Sequence, residues 1–403
     1  MDEEKKKKFF SPEIRQHAQL REQIYNALQG DICEYLFDKE NGPYEQYMTE
    51  RGLKLQPEVS EDLYKLCHEV QQKVGFKEKI EFYIANDSHI NAHCLGSFDK
   101  NKPHLIWFTT PLVKVNSKVE LKCIVGHEIG HLINRDRLLQ ALMHFVFPEG
   151  YLPLILERKY FLYKQLSELV CDRYGYIACG DLNTALMSHF KIVYGFNPEE
   201  MGITLDALLK QNDRDMEYLV RNTKAKDGLT HPSTPIRIKA LQLYATAKSQ
   251  EELDKRMDGI IDLLIKYGEE EVDLQINRFM AAAGLKIARA DGKESKVETK
   301  EILKHISKRN LFPAGFLEEM REENLDDVIE DSVSKILELK PDFKNKMLAY
   351  VLDIILADGK IADEELKLIY EFAYIINIDK NTVKKILAKK IQEAFNPNFE
   401  AIC

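Results

Sequence analysis

The sequence predicts an α+β, mostly helical chain: a domain with a small sheet among many helices, followed by an all-α helical domain. Three observations carry this. Apolar residues recur at helical spacing along most of the 403 residues. Only 80–85 and 105–109 are runs rich in β-branched and aromatic side chains, the mark of strands. No strand pattern returns after Ser249, where the charge also changes: residues 251–403 hold 24 Lys and Arg against 32 Asp and Glu, whereas residues 1–250 hold 33 against 34. The expected division is a helical extension over 1–45, a main domain over 46–248 and a helical module over 249–403.

The elements follow in order. Ser11, Pro12 and Glu13 offer the cap, first-turn proline and early acid of a helix that Gly30 would end. A second helical piece over 32–40 stops at Asn41-Gly42-Pro43. Over 57–74, Val59, Leu63, Leu66, Val70 and Val74 share one helical face, with Gly75 as the stop. The two strands flank a polar segment, 86–103. Helices are expected at 117–134, 160–179, 182–193, 205–222 and 233–248. Helical periodicity then runs from 251 to 392, with breaks at Asp291-Gly292, 310–313, Lys340-Pro341 and Asp358-Gly359. Ala290-Asp291-Gly292-Lys293 recurs as Ala357-Asp358-Gly359-Lys360, which implies two helix–turn–helix units of one design.

Composition excludes several classes. Hydrophobic residues at 44% and charged residues at 31% describe a folded chain, and a net charge of −9 argues against nucleic acid as a partner. Seven cysteines without a C-x-x-C pair argue against a disulfide framework, so a reducing, cytoplasmic location is expected. The first ten residues lack a signal-peptide core, and no segment reaches the ~20 apolar residues of a membrane span. The apolar pieces within 138–163 are interrupted by Pro148, Glu149 and Gly150. They predict a helical hairpin, with a peripheral membrane contact as the alternative.

The residues that carry chemistry are Gly126-His127-Glu128-Ile129-Gly130-His131. Four residues apart on a helix, His127 and His131 can point both imidazoles at one metal ion, and Glu128 stands where a carboxylate can take a proton from an attacking water. Val119, Leu121, Ile124, Val125, Ile129, Leu132 and Ile133 would bury this helix. Gly126 and Gly130 are tolerable if another backbone approaches closely. A catalytic zinc needs a third protein ligand. Glu168, 37 residues beyond His131 on a predicted helix, is the best candidate, and Asp172 one turn later could orient a ligating histidine. Two acids on a solvated helix face would look the same. Finally, His231-Pro232-Ser233-Thr234-Pro235-Ile236-Arg237-Ile238 fixes a loop, with Ser233 or Thr234 able to cap the next helix. His231 could there hydrogen-bond an oxyanion, with Arg237 supporting it or pairing with a carboxylate; a structural loop and a surface arginine are the bland readings.

These motifs resemble the HtpX-type and CAAX-prenyl-protease-like gluzincin metallopeptidases: H-E-x-G-H, then E-x-x-x-D-x-x-G at 168–175, then H-P-x-x-x-x-R-I at 231–238, with Asn91-Ala92 and 105–112 upstream. The resemblance covers about 55–245. It implies a zincin-like fold, one Zn²⁺ held by His127, His131 and Glu168, Glu128 as general base, and Asp172 behind the ligands. It also implies that the strand at Asn91, Ala92 and His93 pairs with the backbone of a protein or peptide substrate. The chain departs in lacking the family's common transmembrane helices, and in Cys171, where a small residue such as Ala is usual. His68, His144, His189 and His305 read as core or surface residues, His89 and His93 as neighbours of the substrate strand, and Trp107 as packing. The Ala-Asp-Gly-Lys segments, with Glu298 and Glu365 downstream, resemble the tellurite-resistance TerB-like helical domain, which implies a regulatory or partner-binding role; neither copy has the alternating ligands of an EF-hand.

Overall fold

The computed structural model describes residues 10–31, 33, 46, 48, 50–99, 101–148, 152–221, 231–266, 271–290, 316–356 and 363–394. The expected helix over 32–40, both Ala-Asp-Gly-Lys turns and Glu298 lie largely or wholly outside these. The fold is mostly helical with one four-stranded sheet. The described residues fall into two compact units: one runs to Ile260 without 152–159, and the other holds 152–159 and the chain from Ile261 onward.

In the first unit α1 spans Arg15–Ala27. It starts later than Ser11 suggested, because the Pro12 and Glu13 carbonyls accept from the buried Arg173 guanidinium at 3.3 and 3.2 Å, and Ser11 Oγ accepts the Glu13 N–H at 3.2 Å in a separate turn. It also ends before Gly30, with the left-handed residue being Gln29. The sheet holds β1 (Gly52–Lys54), β2 (Ile80–Ala85), β3 (Ala92–Leu95) and β4 (His104–Thr109) in the order β1-β2-β4-β3; β2 and β4 are parallel, the other pairs antiparallel. β1 goes beyond expectation, while β3 lies in the segment whose composition reads as polar but where the family resemblance implied a strand at Asn91 to His93.

Between β1 and β2, α2 (Pro57–Lys73) is interrupted at Ser60, so Val59 lies 46% exposed before the break while Leu66, Cys67 and Val70 are buried. One face of the sheet, with Ile80, Phe82, Ile106 and Phe108, packs on Leu66 and Val70 of α2 and on Leu121, Ile124, Val125 and Ile129 of the helix that follows β4. Tyr83, Leu95 and Leu105 on the other face cluster with Met48 and Trp107. This alternation is the period of two that a strand imposes.

After the short α3 (Thr110–Val115) comes α4 (Lys118–Asn134), which starts where predicted. Ser117 Oγ accepts the Glu120 N–H at 3.3 Å and Glu120 returns the bond to the Ser117 N–H at 2.7 Å, a complete capping box. Val119 in its first turn is 49% exposed rather than buried. Further on stand α5 (Asp136–Val146), α6 (Leu154–Cys179), α7 (Leu182–Tyr194), α8 (Leu205–Arg221), α9 (Thr234–Thr246) and α10 (Gln250–Lys266). Lys191 of α7 pairs with Glu120 at 2.8 Å, both buried, which ties α7 to the start of α4. The apolar side of α5, Leu138, Leu139, Leu142 and Met143, is buried in the fold. No helix of the described residues is long and apolar enough to cross a membrane.

The crossing of α4 and α6 positions everything below. A Cβ on Gly126 would lie 2.5 Å from Ala178 Cβ and 2.7 Å from the Tyr174 carbonyl, and one on Gly175 would lie 2.7 Å from the Cys123 carbonyl. The close backbone approach expected for Gly126 is therefore real.

The described residues of the second unit from 271 on are helices α11 (Glu271–Ala290), α12 (Phe316–Glu322), α13 (Leu325–Leu339), α14 (Lys344–Ile355), α15 (Asp363–Ile375) and α16 (Lys380–Ala394), with a 3₁₀ turn before α14. Phe279, Ile336, Val351, Ile369 and Phe372 are among the side chains of its own core. Tyr350 donates from within that core to the Met280 carbonyl at 2.7 Å.

Gly126→Ala should destabilise the protein by roughly 1–3 kcal/mol, because backbone must shift to admit the methyl. Gly259→Ala on α10, with nothing within 4 Å, should stabilise it by up to about 1 kcal/mol. Thermal unfolding of both variants checks this; equal shifts would contradict the close crossing.

Candidate metal centre

One turn of α4 presents His127 and His131, and their Nε2 atoms stand 3.2 Å apart. Glu168 of α6 faces them, with Oε2 3.6 Å from His127 Nε2 and Oε1 3.6 Å from His131 Nε2. Donors about 2.0–2.1 Å from a tetrahedral ion stand ~3.4 Å from one another, so the triangle has the size of a zinc-ligand face.

The outer partners set the ring tautomers. Asp172 Oδ1 lies 3.1 Å from His127 Nδ1, and Asp136 Oδ2 lies 2.6 Å from His131 Nδ1. When each Nδ1–H donates to its carboxylate, each Nε2 is left with a lone pair, and two lone pairs face each other across 3.2 Å. Glu168 Oε2 is buried without a hydrogen-bond partner. Three acceptors converging on one point fit a cation, and this donor set fits zinc.

Arg237, at the start of α9, anchors the far side. Its Nε and Nη2 donate to the two oxygens of Asp172 at 2.9 and 2.6 Å, and Nη1 lies 3.2 Å from Glu168 Oε2. Of the two expected roles for Arg237, the structure therefore brings it to carboxylates. Burial alone would push the Glu168 and Asp172 carboxyls up; the Arg237 charge and the nearby histidines outweigh it and hold both well below the usual carboxylate range. His131 is pulled the other way: burial opposes its charge, but Cys171, Asp136 and Glu168 raise its proton affinity well above an ordinary imidazole's. In each case the charged form is stabilised by opposite charge: the carboxylates by Arg237 and the histidines, the imidazole by the acids around it.

His231 Nδ1 lies 2.8 Å from Glu168 Oε1, on the third member of the cluster. Ser233 occupies the cap position of α9, but its hydroxyl makes no cap bond and is buried without a partner, so the expected capping is positional only. Glu128 is buried to 7% exposure and lines the same cleft, a space of about 1810 Å³. Asn91, Ala92 and His93 line it too. Asn91 precedes β3, its carbonyl accepting the Thr109 N–H at 3.0 Å and its Oδ1 the Ala92 N–H at 2.9 Å. His93 stacks on Trp107 at 4.9 Å, whereas His89 is exposed and pairs with Asp87.

The sequence reading passed over Asp136. Arg135, in the left-handed region at φ 59°, ends α4 and lets α5 begin at once, which folds Asp136 back under His131. Tyr163 and Ser167 donate to the same carboxylate, the latter at 2.6 Å, and the buried His17 of α1 stacks on Tyr163 at 4.8 Å. Burial pushes His17 down to about 4. His189, read as a core or surface residue, lies on the cleft wall with a buried, unpartnered Nε2; burial, with Arg237 next, pushes it down to about 3.

Asp136→Ala should weaken zinc binding by about 10–100-fold, read by competition with a chelating dye; unchanged affinity would contradict its place behind His131. His17 is held neutral in the fold, so its contribution is present above its unfolded value near 6.5 and is lost as pH falls toward 4, by roughly 2–3 kcal/mol at pH 4.5. His17→Phe should flatten the denaturant-measured stability between pH 7.5 and 4.5 by that amount, and an unchanged slope would refute the assignment.

Residues 57–245 match the model of peptidase family M48. Among curated relatives, the chain is 36% identical to protease HtpX homolog 2 of Saccharolobus solfataricus over 28% of this chain and 34% of that protein, and 34% identical to the protease HtpX homolog of Thermoplasma acidophilum over 26% and 32%. It is also 21% identical to the chloroplastic plastoglobule-localized metallopeptidase 48 of Arabidopsis thaliana, over 48% of this chain and 60% of that protein. The chain thus spans about a third of the length of the HtpX relatives it matches. No solved structure matches. Residues 57–245, a little under half of the chain, are thus similar to peptidase family M48, and about a quarter of the chain is similar to HtpX homologues.

Proposed function

We propose that the chain is a zinc-dependent endopeptidase acting on protein or peptide substrates, with His127, His131 and Glu168 holding one ion. The observation that carries this is the convergence of the two imidazole Nε2 atoms and the Glu168 carboxylate on one point. Among the described residues the second group able to hold a metal is His131, Asp136 and Cys171; the two share His131, which supports a single ion. When bound, zinc supplies a Lewis acid that acidifies water and polarises the scissile carbonyl.

The chain's own residues do the rest. The Glu128 carboxylate takes the proton from the attacking water and returns it to the leaving amine. His231, donating from Nδ1 to Glu168, can donate from Nε2 to the oxyanion when protonated. Asp172 and Arg237 keep His127 and Glu168 in place. β3 is an edge strand of the sheet. Since Asn91 bonds to Thr109, the antiparallel alternation leaves the Ala92 and Cys94 backbone groups facing away from β4, where an extended peptide can add as a strand. A cleft of 1810 Å³ exceeds the ~300–1,000 Å³ of small-molecule sites and suits several residues of a chain.

The −8 charge of 251–403, the separate helical core and the repeated TerB-like motif support a regulatory or targeting role for the second unit.

Glu128→Gln should keep its zinc and lose about 10²–10⁴ of peptidase activity, whereas Glu168→Ala should lose the zinc. Casein-type cleavage assays with elemental analysis test both. Activity of Glu128→Gln within tenfold of wild type, or full zinc occupancy in Glu168→Ala, would overturn the assignment.

A further inference from the structure

Cys123 and Cys179 meet across the crossing of α4 and α6. Cys123 is buried one turn before His127, and Cys179 is the last, partly exposed residue of α6. Both are reduced, and the antiparallel register that sets Gly130 against Cys171 and Gly126 against Tyr174 and Ala178 brings Cys123 opposite the end of α6, where Cys179 stands. The backbones they stand on touch without intervening side chains, since Gly175 abuts the Cys123 carbonyl and Gly126 abuts Ala178. A disulfide needs α-carbons about 4.4–6.8 Å apart, and a crossing this close is where that separation occurs.

The two sulfurs differ in surroundings. Lys73 reaches the end of α6, donating from Nζ to the Ala178 carbonyl at 2.9 Å and lying 3.5 Å from where a Cβ on Gly180 would be. Cys179 therefore sits in a partly open position beside Lys73 and Asp181. Its thiol donates to the Tyr176 and Asp181 carbonyls at 3.6 and 3.4 Å and is open to small oxidants, whereas the buried Cys123 thiol donates to the Val119 carbonyl at 3.8 Å. Burial pushes the Cys123 thiol up. One sulfur is suited to attack and the other to resolve.

We propose that Cys123 and Cys179 form a dithiol oxidation site, converted by hydrogen peroxide to a reversible disulfide that ties α4 to α6. The Cys179 thiolate attacks a peroxide oxygen; an S–O bond forms, the O–O bond breaks, and the departing hydroxide leaves as water once protonated. Cys123 then attacks the Cys179 sulfur, the S–S bond forms, and the hydroxyl leaves as water with the Cys123 proton. Two electrons pass from the two thiols to the peroxide, and a thiol reductant reverses the bond. The closed loop, 56 residues along the chain from Cys123 to Cys179, encloses His127, His131 and Glu168. The site goes beyond the peptidase reading and stands without it.

The full-length protein, treated with a few equivalents of hydrogen peroxide and mapped under non-reducing conditions, should lose two free thiols and yield a Cys123–Cys179 peptide pair that dithiothreitol separates. In C123S, the sulfenic acid on Cys179 should be trapped by dimedone; in C179S, no pair should form and Cys123 should stay unmodified. Failure of the wild-type pair to form while Cys33, Cys67 or Cys94 oxidise would overturn the proposal, as would C123S protein whose Cys179 takes no dimedone. None of these readings depends on peptidase activity, so loss of one account leaves the other testable.

Discussion

Where α4 and α6 cross, Gly126 faces Ala178 and the Tyr174 carbonyl, and Gly175 faces the Cys123 carbonyl, so no side chain separates the two backbones. That contact fixes the distance between the helix that carries His127, Glu128 and His131 and the helix that carries Glu168 and Asp172. A methyl group between them would widen the triangle of Nε2 and carboxylate atoms, whose edges of 3.2 and 3.6 Å match one small ion. Glycine costs helix propensity at each position, and burial of the apolar residues around it offsets that cost.

The same contact gathers charge. Glu128, Asp136, Glu168 and Asp172 converge with Arg237 as the fixed cation among them. Carboxylates taken from water are expensive unless paired, and one guanidinium cannot balance them. The raised proton affinity of His131 expresses this imbalance, while Glu168 and Asp172 stay ionised because Arg237 and the histidines face them. A divalent ion satisfies that demand and also the two imidazole lone pairs that otherwise oppose one another.

Much of this was legible in the sequence because it rests on helical arithmetic. A spacing of four puts His127 with His131 and Glu168 near Asp172, whatever the rest of the fold does. Asp136 escaped notice because its position depends on a left-handed Arg135, a conformation that the residue type does not announce; the available signal was an acid just past the helix end. His189 escaped because periodicity places it on a helix but does not say which helix it faces. The residue pattern did not show β3, which the family resemblance implied, because an edge strand is half exposed and lacks clean alternation, and β1 is only three residues long. Val59 and Val119 were expected inside but lie exposed in the first turns of their helices. The repeated Ala-Asp-Gly-Lys turns lie outside the described residues, so the likeness to TerB rests on sequence alone.

Zinc K-edge X-ray absorption on the metal-loaded full chain tests the central claim most directly, because it separates the two candidate groups that share His131. The account predicts a shell of imidazole nitrogen and carboxylate oxygen at about 2.0–2.2 Å, with no sulfur. A sulfur scatterer near ~2.3 Å, which would mean that Cys171 binds the ion in place of Glu168, would contradict it.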